Sequence, residues 1–312
     1  MLKEDILKAL AQNRDKSLSG QELAARFEVS RNAVWKAVKQ LQSEGIGIEA
    51  GTNRGYRLGE NVLTPYDLSL PAGVQTRFYQ TIDSTNTQAK RLLAEGLRDN
   101  MLIAANEQTA GRGRCGRSFY SPGDTGIYYS YIFHPQKTLA DAVFITTAAA
   151  VSVVRAIESI STLKPGIKWV NDIYLEDKKV CGILTEAVSD FESGNLESVI
   201  VGIGINYSTS VFPPELAATA GGLNDSGFSR AALLQAAARE LIAVCEDLEN
   251  PRILEEYKAH SVVLGKEISF TKNGVSYRAT AVDIDEKGAL VVETAQGRQV
   301  LSSGEISVRF TK

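Results

Sequence analysis

The hydrophobic pattern of this chain changes character twice, and the two changes limit the folds that it can adopt. Over the first 45 or so residues, apolar side chains recur every three or four positions, which is typical of amphipathic helices. From about residue 76 strand-like and helix-like segments alternate, and after residue 262 only short alternating strands remain. The pattern predicts an α/β multidomain protein with domains at 1–64, 65–261 and 262–312.

Composition places the chain among ordinary globular proteins. It has 312 residues, 44% of them hydrophobic and 23% charged, with a net charge of −3. The longest apolar run, 142–157, is interrupted by Thr146 and Arg155 and is too short and too polar to span a bilayer. The first ten residues include Glu4 and Asp5, which argues against a signal peptide. We therefore expect a cytoplasmic protein without a membrane partner.

Cysteine and histidine are too few and too scattered for a disulfide framework or a zinc site. Cys115, Cys181 and Cys245 are far apart, no C-x-x-C pair occurs, and His134 and His260 are the only histidines. The sequence predicts three reduced cysteines and no metal held by the protein itself.

Two helix starts can be identified in the first domain. Ser19 and Glu22 form a capping box ahead of a short helix, and Ser30 is a good N-cap for the next one. That next helix has an apolar stripe that includes Val34 and Leu41, while its other face is polar and basic. An alternating pair of strands follows between residues 46 and 58.

Helix, short helix, turn, helix and basic hairpin make up the winged helix-turn-helix plan. A recognition helix must bury one stripe and offer polar and cationic side chains to bases and phosphates, and the hairpin adds a phosphate contact. A small helical domain with a solvated polar face is the alternative. On the DNA-binding interpretation, the candidate contacts are Gly20, Gln21, Ser30, Arg31, Asn32, Trp35, Lys36, Lys39 and Arg54.

Four polar clusters stand at element boundaries of the central domain. They cover residues 83–86, 108–117, 168–172 and 202–206. Each has a local structural explanation, such as an N-cap for Ser84 or a tight strand end for the glycines of 202–206. Four clusters at strand ends are better explained as one site.

The stretch Gly111–Arg117 contains glycines at G-x-G-x-x-G spacing, which raises the possibility of a dinucleotide-binding turn. No helix follows it, because 117–123 reads as extended chain and then a turn, and no acidic residue lies at the distance expected for a ribose contact. Its three arginines instead suit phosphate or carboxylate oxygens, in a loop whose glycines let it order around a ligand.

These motifs together resemble the bifunctional biotin–protein ligase and biotin-operon repressor family of bacteria, over essentially the whole chain. The resemblance depends on DSTN at 83–86, EQTAGRGRCGR at 107–117, KWVNDIYLEDKKVCGIL at 168–184, VGIGIN at 201–206 and GEISVR at 304–309. Val170 stands where the family usually has proline, and Cys115 stands at a variable position, often arginine.

The resemblance implies a winged helix-turn-helix domain, a central class II synthetase-like α/β domain and a C-terminal SH3-like β-barrel. It implies that biotin and ATP, with Mg²⁺ carried by the ATP, give biotinyl-5′-AMP. The biotinyl group then passes to a lysine of the biotin carboxyl carrier protein of acetyl-CoA carboxylase or a related carboxylase. The same adenylate would act as corepressor, support a homodimer and promote binding to operator DNA of biotin genes.

The resemblance also implies roles for individual residues. Biotin would be bound by Ser84, Thr85, Asn86, Gln108, Arg112, Gly113, Arg114, Lys179 and Gly204. ATP or the adenylate would be bound by Arg114, Arg117, Phe119, Lys168, Asn171, Asn206 and Arg309. Lys168, Arg114, Arg117 and Asp172 would take part in the chemistry.

The chemistry itself favours cations in such a site. A carboxylate that attacks an α-phosphorus must approach negative oxygens, and cations lower that repulsion and stabilise the leaving pyrophosphate. Two alternatives stay open: a lipoate–protein ligase, and a biotin-sensing winged-helix repressor without catalysis. The signatures DSTN and GRGR-x-GR argue against the first, and the cations Lys168 and Lys179 against the second.

Overall fold

The structure, a computed structural model, describes residues 1–51, 54–138, 141–189, 196–224, 227–272, 275–302 and 308–310. The chain forms two compact units. Unit 1 contains residues 1–69 and 229–235, and unit 2 contains residues 70–228 and 236–312. The domain borders predicted at 64/65 and 261/262 stay predictions.

Unit 1 begins with three helices and a two-stranded antiparallel hairpin. These elements are α1 (Leu2–Ala11), α2 (Gly20–Arg26), α3 (Arg31–Ser43), β1 (Ile48–Gly51) and β2 (Gly55–Leu58). The Ser19 side chain caps α2 with Glu22 returning the bond, and Ser30 caps α3, as the sequence predicts. The stripe from Val34 to Leu41 is buried against the other helices in one hydrophobic core. The helix-turn-helix prediction is therefore confirmed.

Unit 2 is built around a seven-stranded mixed sheet. Its strands, in chain order, are β3 (Gln75–Ile82), β4 (Met101–Gln108), β5 (Gly126–Phe133), β6 (Gly166–Lys168), β7 (Asp172–Leu175), β8 (Lys178–Ser189) and β9 (Leu196–Asn206). Their order in the sheet is β3-β4-β5-β9-β8-β7-β6, with β3 and β4 parallel and the other neighbours antiparallel. The central strands β5 and β9 are buried along almost their whole length, as expected of strands covered on both faces.

Among the described residues, five α-helices accompany this part of the chain. They are α4 (Thr85–Ala94), α5 (Ala142–Ile160), α6 (Pro214–Ala217), α7 (Arg230–Glu246), whose residues up to 235 belong to unit 1, and α8 (Pro251–Ala259). By length and composition α5 could cross a membrane, but most of it is buried in the protein, and a core helix passes the same test. The helix α8 is not predicted from the sequence, although Asn250 caps it and Pro251 occupies its first turn.

A second, five-stranded antiparallel sheet ends the chain. It consists of β10 (Glu267–Lys272), β11 (Val275–Ile284), β12 (Leu290–Thr294), β13 (Gly297–Leu301) and β14 (Val308–Phe310), in the order β13-β12-β11-β10-β14. The strands agree with the sequence prediction, while an SH3-like barrel stays a prediction. Asn273-Gly274, which the sequence predicts as a two-residue hairpin turn, lies outside the described residues.

Two local details differ from the sequence analysis. The sequence pattern predicts a hairpin turn over Glu176–Lys179, but the turn between β7 and β8 is Glu176-Asp177 alone, because Lys178 and Lys179 already pair with Leu175 and Tyr174. The pattern also predicts a strand at Ile167–Val170, but β6 ends at Lys168, and the Trp169–Val170 peptide bond is cis.

Candidate functional site

Three glycines on neighbouring strands form the floor of the site. Gly182 on β8 pairs with Gly204 on β9, and Gly202 lies two residues earlier. A Cβ atom at Gly202 would overlap the Asn86 amide, and one at Gly204 would overlap the Phe119 ring. These glycines therefore permit the close approach of two groups, the Asn86 amide from the 83–86 cluster and the ring of Phe119, which lies two residues beyond the 108–117 cluster.

The 111–119 loop folds back on itself over this floor. Phe119 N–H donates to Gly111 O at 2.8 Å, and Gly113 N–H donates to Arg117 O at 2.7 Å. The reversal occurs at Cys115 and Gly116, with φ of 54° and 72°. The loop is a short irregular hairpin without a following helix, which agrees with the rejection of a dinucleotide turn.

The first cavity lies between the loop and the glycine floor and has a volume of about 50 Å³. Its small size reflects the Phe119 ring, which lies against Gly182 and Gly204. The cavity is lined by residues from β3–α4, β4, the loop, β8 and β9: Ser84, Thr85, Gln108, Arg112, Gly113, Arg114, Phe119, Asn171, Lys179, Gly182, Ile183, Leu184, Gly202, Ile203 and Gly204.

The second cavity adjoins the first and is larger, about 530 Å³. Three groups of residues line it. They are the loop residues 113–115 and 117–120, the β6–β8 residues Lys168, Trp169, Asn171, Asp172, Tyr174 and Lys179, and the later residues Asn206, Phe212, Leu216, Thr219 and Ala220. Among the lining residues given for the two cavities, Asp172 is the single carboxylate.

The two cavities share a wall that holds most of the functional groups. Gly113, Arg114, Phe119, Asn171 and Lys179 line both. Arg114 donates to the Asn171 side-chain oxygen at 2.9 Å, and the Asn171 amide in turn donates to Ile183 O at 2.9 Å. Lys179 pairs with Asp172 at 2.6 Å. A ligand that extends from one cavity into the other would lie next to Arg114 and Lys179.

Lys168 also lines the second cavity and lies next to an aromatic ring. Its Nζ is 5.2 Å from the centre of the Tyr174 ring and 3.5 Å from the Tyr174 hydroxyl. Burial and the nearby charge of Asp172 raise the pKa of Tyr174 to about 12. Tyr174 is therefore neutral at physiological pH and keeps a proton that it can donate.

Asn206 presents a buried acceptor at the second cavity. Its Nδ2 donates to Gly221 O at 3.0 Å, which fixes the amide. Its Oδ1 is buried and has no hydrogen-bond partner among the residues that the structure describes. Since an unpaired buried acceptor costs free energy, this atom is suited to a ligand donor.

Asn86 lies behind the first cavity and does not line it. Its Oδ1 accepts from Ser130 at 2.6 Å and its Nδ2 donates to Glu186 at 3.0 Å. Its neighbour Thr85 donates its backbone N–H to Gln108 Oε1 at 2.8 Å. In this structure Asn86 supports the residues at the cavity surface, rather than facing the cavity as its predicted biotin contact would suggest.

The remaining predicted residues fall in different places. Ser84 caps α4, with Thr87 N–H donating to its hydroxyl at 3.4 Å. Arg112 lines the first cavity but pairs with Glu186 at 3.2 Å, and Arg117 is exposed at the second cavity. Arg309 belongs to β14, and its side chain lies outside the described part of the chain.

Sequence reasoning missed the segment that closes the second cavity. Phe212, Leu216, Thr219 and Ala220 line it, and Lys179 N–H donates to Thr219 O at 2.8 Å. These side chains carry no charge and follow no periodic pattern, so they could not be identified from the sequence. Ser130 was missed because it is a small polar residue between tyrosines of a buried strand. Glu186 was missed because it lies near the end of β8 beside other polar residues such as Thr185 and Ser189.

In unit 1, most of the residues predicted to contact DNA are exposed. On α3, Arg31, Asn32, Trp35, Lys36 and Lys39 are all exposed, opposite the buried stripe. Half of the Trp35 surface is accessible, which is unusual for so large an apolar side chain. Arg54 is exposed beside the hairpin tip, whose residues Thr52 and Asn53 lie outside the described ones.

Three family models match successive parts of the chain. A model of the HTH domain matches residues 3–57, one of the biotin/lipoate A/B protein ligase family matches 78–206, and one of the biotin protein ligase C terminal domain matches 263–309. The second alone would admit a lipoate ligase, while the third is specific for biotin ligases.

Similar proteins cover the whole length. The chain is 32% identical over 329 aligned residues to the bifunctional ligase/repressor BirA of Bacillus spizizenii, covering 98% of each protein. It is 28% identical to the biotin–[acetyl-CoA-carboxylase] ligase of Mycobacterium tuberculosis, over 72% of this chain and 85% of that protein. The Aquifex aeolicus biotin protein ligase, solved with biotin and ATP, superimposes with a TM-score of 0.63 at 27% identity, over 76% of this chain and 99% of that one. The chain therefore belongs to the family of bifunctional biotin ligase/repressor proteins.

Proposed function

We propose that this protein joins biotin to ATP, transfers the biotinyl group to a lysine of a biotin carboxyl carrier protein, and represses biotin genes when it holds the adenylate. The observation that carries the ligase part is the shared wall, where Arg114 and Lys179 stand between two adjoining cavities. Biotin would occupy the first cavity and ATP the second, so that the biotin carboxylate and the α-phosphate meet between them.

Activation forms a bond between a carboxylate oxygen and the α-phosphorus, and pyrophosphate leaves. Arg114, held by Asn171, and Lys179 lower the repulsion between the carboxylate and the phosphate. Lys168 would stabilise the charge that develops at the phosphorus and on pyrophosphate. Gln108, Gly113 and Gly204 would contact biotin, and Asn206 Oδ1 would accept a donor from the adenine or ribose.

Transfer requires a neutral lysine of the carrier protein. Its amine attacks the biotinyl carbonyl, an amide forms and AMP leaves. Asp172 is positioned to take the proton from the incoming amine, because it is the one carboxylate among the lining residues given for the two cavities. Lys179 at 2.6 Å keeps it oriented.

Mg²⁺ would come with the ATP. No group of three or more His, Cys, Asp or Glu side chains suited to a metal occurs within the described residues. A cation bound mainly by phosphate oxygens and water fits this donor set, since Mg²⁺ commonly keeps several waters and uses few protein ligands.

Ligand entry must displace Phe119. Small-molecule sites usually enclose roughly 300 Å³ or more, whereas the first cavity has about 50 Å³. We infer that the 111–119 loop moves away from the glycine floor to admit biotin and then closes over the adenylate, which shields the mixed anhydride from water.

The decisive experiment measures pyrophosphate release with ATP, Mg²⁺ and either biotin or lipoate, with and without a carrier domain. Release that depends on biotin, and carrier labelling in the same reaction, is the expected result. Release with lipoate alone would indicate a lipoate ligase, and no release with either acid would leave only a sensor.

The repressor part depends on the exposed face of α3 and on the family. We propose that the adenylate-bound protein forms a homodimer and binds a palindromic operator near biotin genes. Footprinting on the promoter of those genes, with and without biotin and ATP, tests the binding, and sedimentation under the same conditions tests the dimer. If the promoter is not protected even when biotin and ATP are both present, the protein acts only as a ligase.

A further inference from the structure

Glu186 is a largely buried carboxylate that the proposed reaction does not use. It lies on β8 opposite Ile200, and 17% of its side chain is exposed. Three donors surround it: Asn86 Nδ2 at 3.0 Å, Lys90 Nζ at 2.7 Å and Arg112 at 3.2 Å. A carboxylate on β8 that accepts from two donors of α4 and one donor of the 111–119 loop holds these three segments together.

Asn86, one of the three donors, connects Glu186 to the first cavity through other polar side chains. Because Glu186 can only accept, it turns the Asn86 amide so that Nδ2 faces the carboxylate and Oδ1 faces Ser130. Thr85, next to Asn86, lies 2.7 Å from the Ser130 hydroxyl and also contacts Gln108. The charge on Glu186 thereby fixes the orientation of a chain of polar groups that reaches the cavity surface.

The same chain reaches the far end of the 111–119 loop. Gln108 Nε2 donates to the Ser121 hydroxyl at 2.9 Å, and that hydroxyl donates to Phe119 O at 2.9 Å. Arg112, at the other end of the loop, pairs directly with Glu186. Both ends of the loop are therefore connected to one carboxylate.

Glu186 is charged at neutral pH in this arrangement. Burial would raise its pKa, but hydrogen bonds from Lys90 and Asn86 and the charges of Lys90 and Arg112 outweigh burial and lower the pKa below its ordinary value. Neutralising the side chain without changing its shape should thus weaken the contact with Arg112.

We propose that Glu186 is a positioning residue that latches the 111–119 loop over the adenylate, through Arg112 at one end and the Asn86–Ser130–Thr85–Gln108 chain at the other. The inference rests on the proposed ligase function. Its consequence is kinetic, because the latch limits how fast the loop opens. Opening of the loop allows the adenylate to escape or to react with water to give biotin and AMP.

The test uses the full-length protein carrying E186Q, R112M or both, with K90M as the matched control. Lys90 pairs with the same carboxylate from α4, is about as exposed as Arg112 (44% against 42% of the side chain), and lines neither cavity. Adenylate is formed from radiolabelled biotin and ATP, excess unlabelled biotin is added without acceptor, and the loss of bound label is followed.

E186Q should lose adenylate about ten-fold faster than the wild type, the change expected when one charge-assisted hydrogen bond is weakened. K90M should stay within about two-fold, because Lys90 joins Glu186 to α4 and its loss leaves the contacts with Arg112 and Asn86 in place. R112M should match E186Q, and the double variant should be no faster than either single variant, because both changes open the same latch.

Retention in E186Q equal to that of the wild type, or additive effects in the double variant, would overturn the proposal. If E186Q does not fold, as judged by its thermal transition, the single variants R112M and E186D test the proposal instead. E186D keeps the charge and should fall between wild type and R112M, and retention equal to wild type in both variants would refute the latch. A wild-type protein that forms no adenylate at all would instead refute the proposed function.

Discussion

At the scale of single residues, the site depends on glycines as much as on cations. Gly204 and Gly182 leave room for the Phe119 ring, and Gly202 leaves room for the Asn86 amide. Arginines at this site can be identified from the sequence, because three in seven residues are unusual in a loop. The buried partners of the site, Ser130 and Glu186, cannot, because a serine in a buried strand and a glutamate near the end of a mixed polar and apolar strand each have many structural explanations.

Gly204→Ala tests the floor of the first cavity. The added methyl group would overlap the Phe119 ring and leave less space for biotin. We expect the KM for biotin to rise about ten-fold or more, with a smaller effect on the KM for ATP, since roughly 1.4 kcal/mol of lost complementarity corresponds to a factor of ten. Steady-state kinetics with each substrate varied in turn measure both constants. An unchanged KM for biotin would show that the loop, not the floor, sets the fit.

Asn206→Ala tests the unpaired acceptor of the second cavity. Loss of Oδ1 removes the acceptor that we assign to ATP, while the neighbouring strand pairs stay intact. The KM for ATP should rise about ten-fold, in the range measured for loss of one buried hydrogen bond. Biotin affinity in the absence of ATP, measured by calorimetry, serves as the control and should not change. Equal loss of both affinities would contradict the separation of the two cavities.

At the scale of elements, most helices and strands follow from periodicity, capping and turn residues. Ser19 and Ser30 mark α2 and α3, and the buried strand β9 follows from its run of valine and isoleucine. The sequence does not reveal that the 206–224 segment folds back on the β7–β8 hairpin. That contact uses backbone groups of Lys179, Thr219 and Gly221, which any side chains could supply.

Lys178→Met tests how this segment is held. Lys178 Nζ donates to Ala217 O at 3.2 Å and to Ala218 O at 2.7 Å, at the end of α6. Without these bonds the wall formed by Phe212 and Leu216 should loosen, and the KM for ATP should rise about three- to ten-fold, as for one or two hydrogen bonds. Lys178→Arg keeps donors in place and should restore most of the affinity. Hydrogen exchange of the backbone amides of the 206–224 segment, measured with and without ATP, offers an independent measurement of how the segment is held.

The recognition helix α3 gives a prediction for DNA. Replacing Lys36 and Lys39 with alanine removes two exposed cations from its polar face. Operator affinity should fall and the slope of log K against log salt should become less steep by about two, because each phosphate contact contributes about one unit. Biotin-dependent pyrophosphate release by the same variant should match the wild type. An unchanged salt slope would place the phosphate contacts elsewhere.

At the scale of the whole molecule, surface carboxylates of unit 2 link stability to pH. Hydrogen bonds from Arg155, Arg91 and Lys258 lower the pKa values of Glu256, Asp83 and Asp283 respectively. Because the folded state binds these protons less readily than the unfolded state, the stabilisation is present above the unfolded pKa values and is lost as the pH falls through the folded ones.

Urea unfolding midpoints should therefore decrease as the pH falls from about 5 to about 3, which spans the ordinary pKa range of Asp and Glu. Arg155→Met should make that decrease shallower, because it removes the bonds at 2.7 and 3.0 Å that lower the pKa of Glu256. The effect should be small for each pair, since all three are partly exposed. A midpoint that stays constant over this range in the wild type would show that these carboxylates titrate alike in both states.

The shared wall between the cavities has a consequence for redesign of the enzyme. Changing any of its five residues to accept a biotin analogue would also alter nucleotide binding. Higher affinity for the analogue would then be offset by lower affinity for ATP. Leu184 and Ile203 line the first cavity without reaching the second. Libraries at these two positions are the starting point for a ligase that attaches an unnatural acid while its use of ATP is preserved.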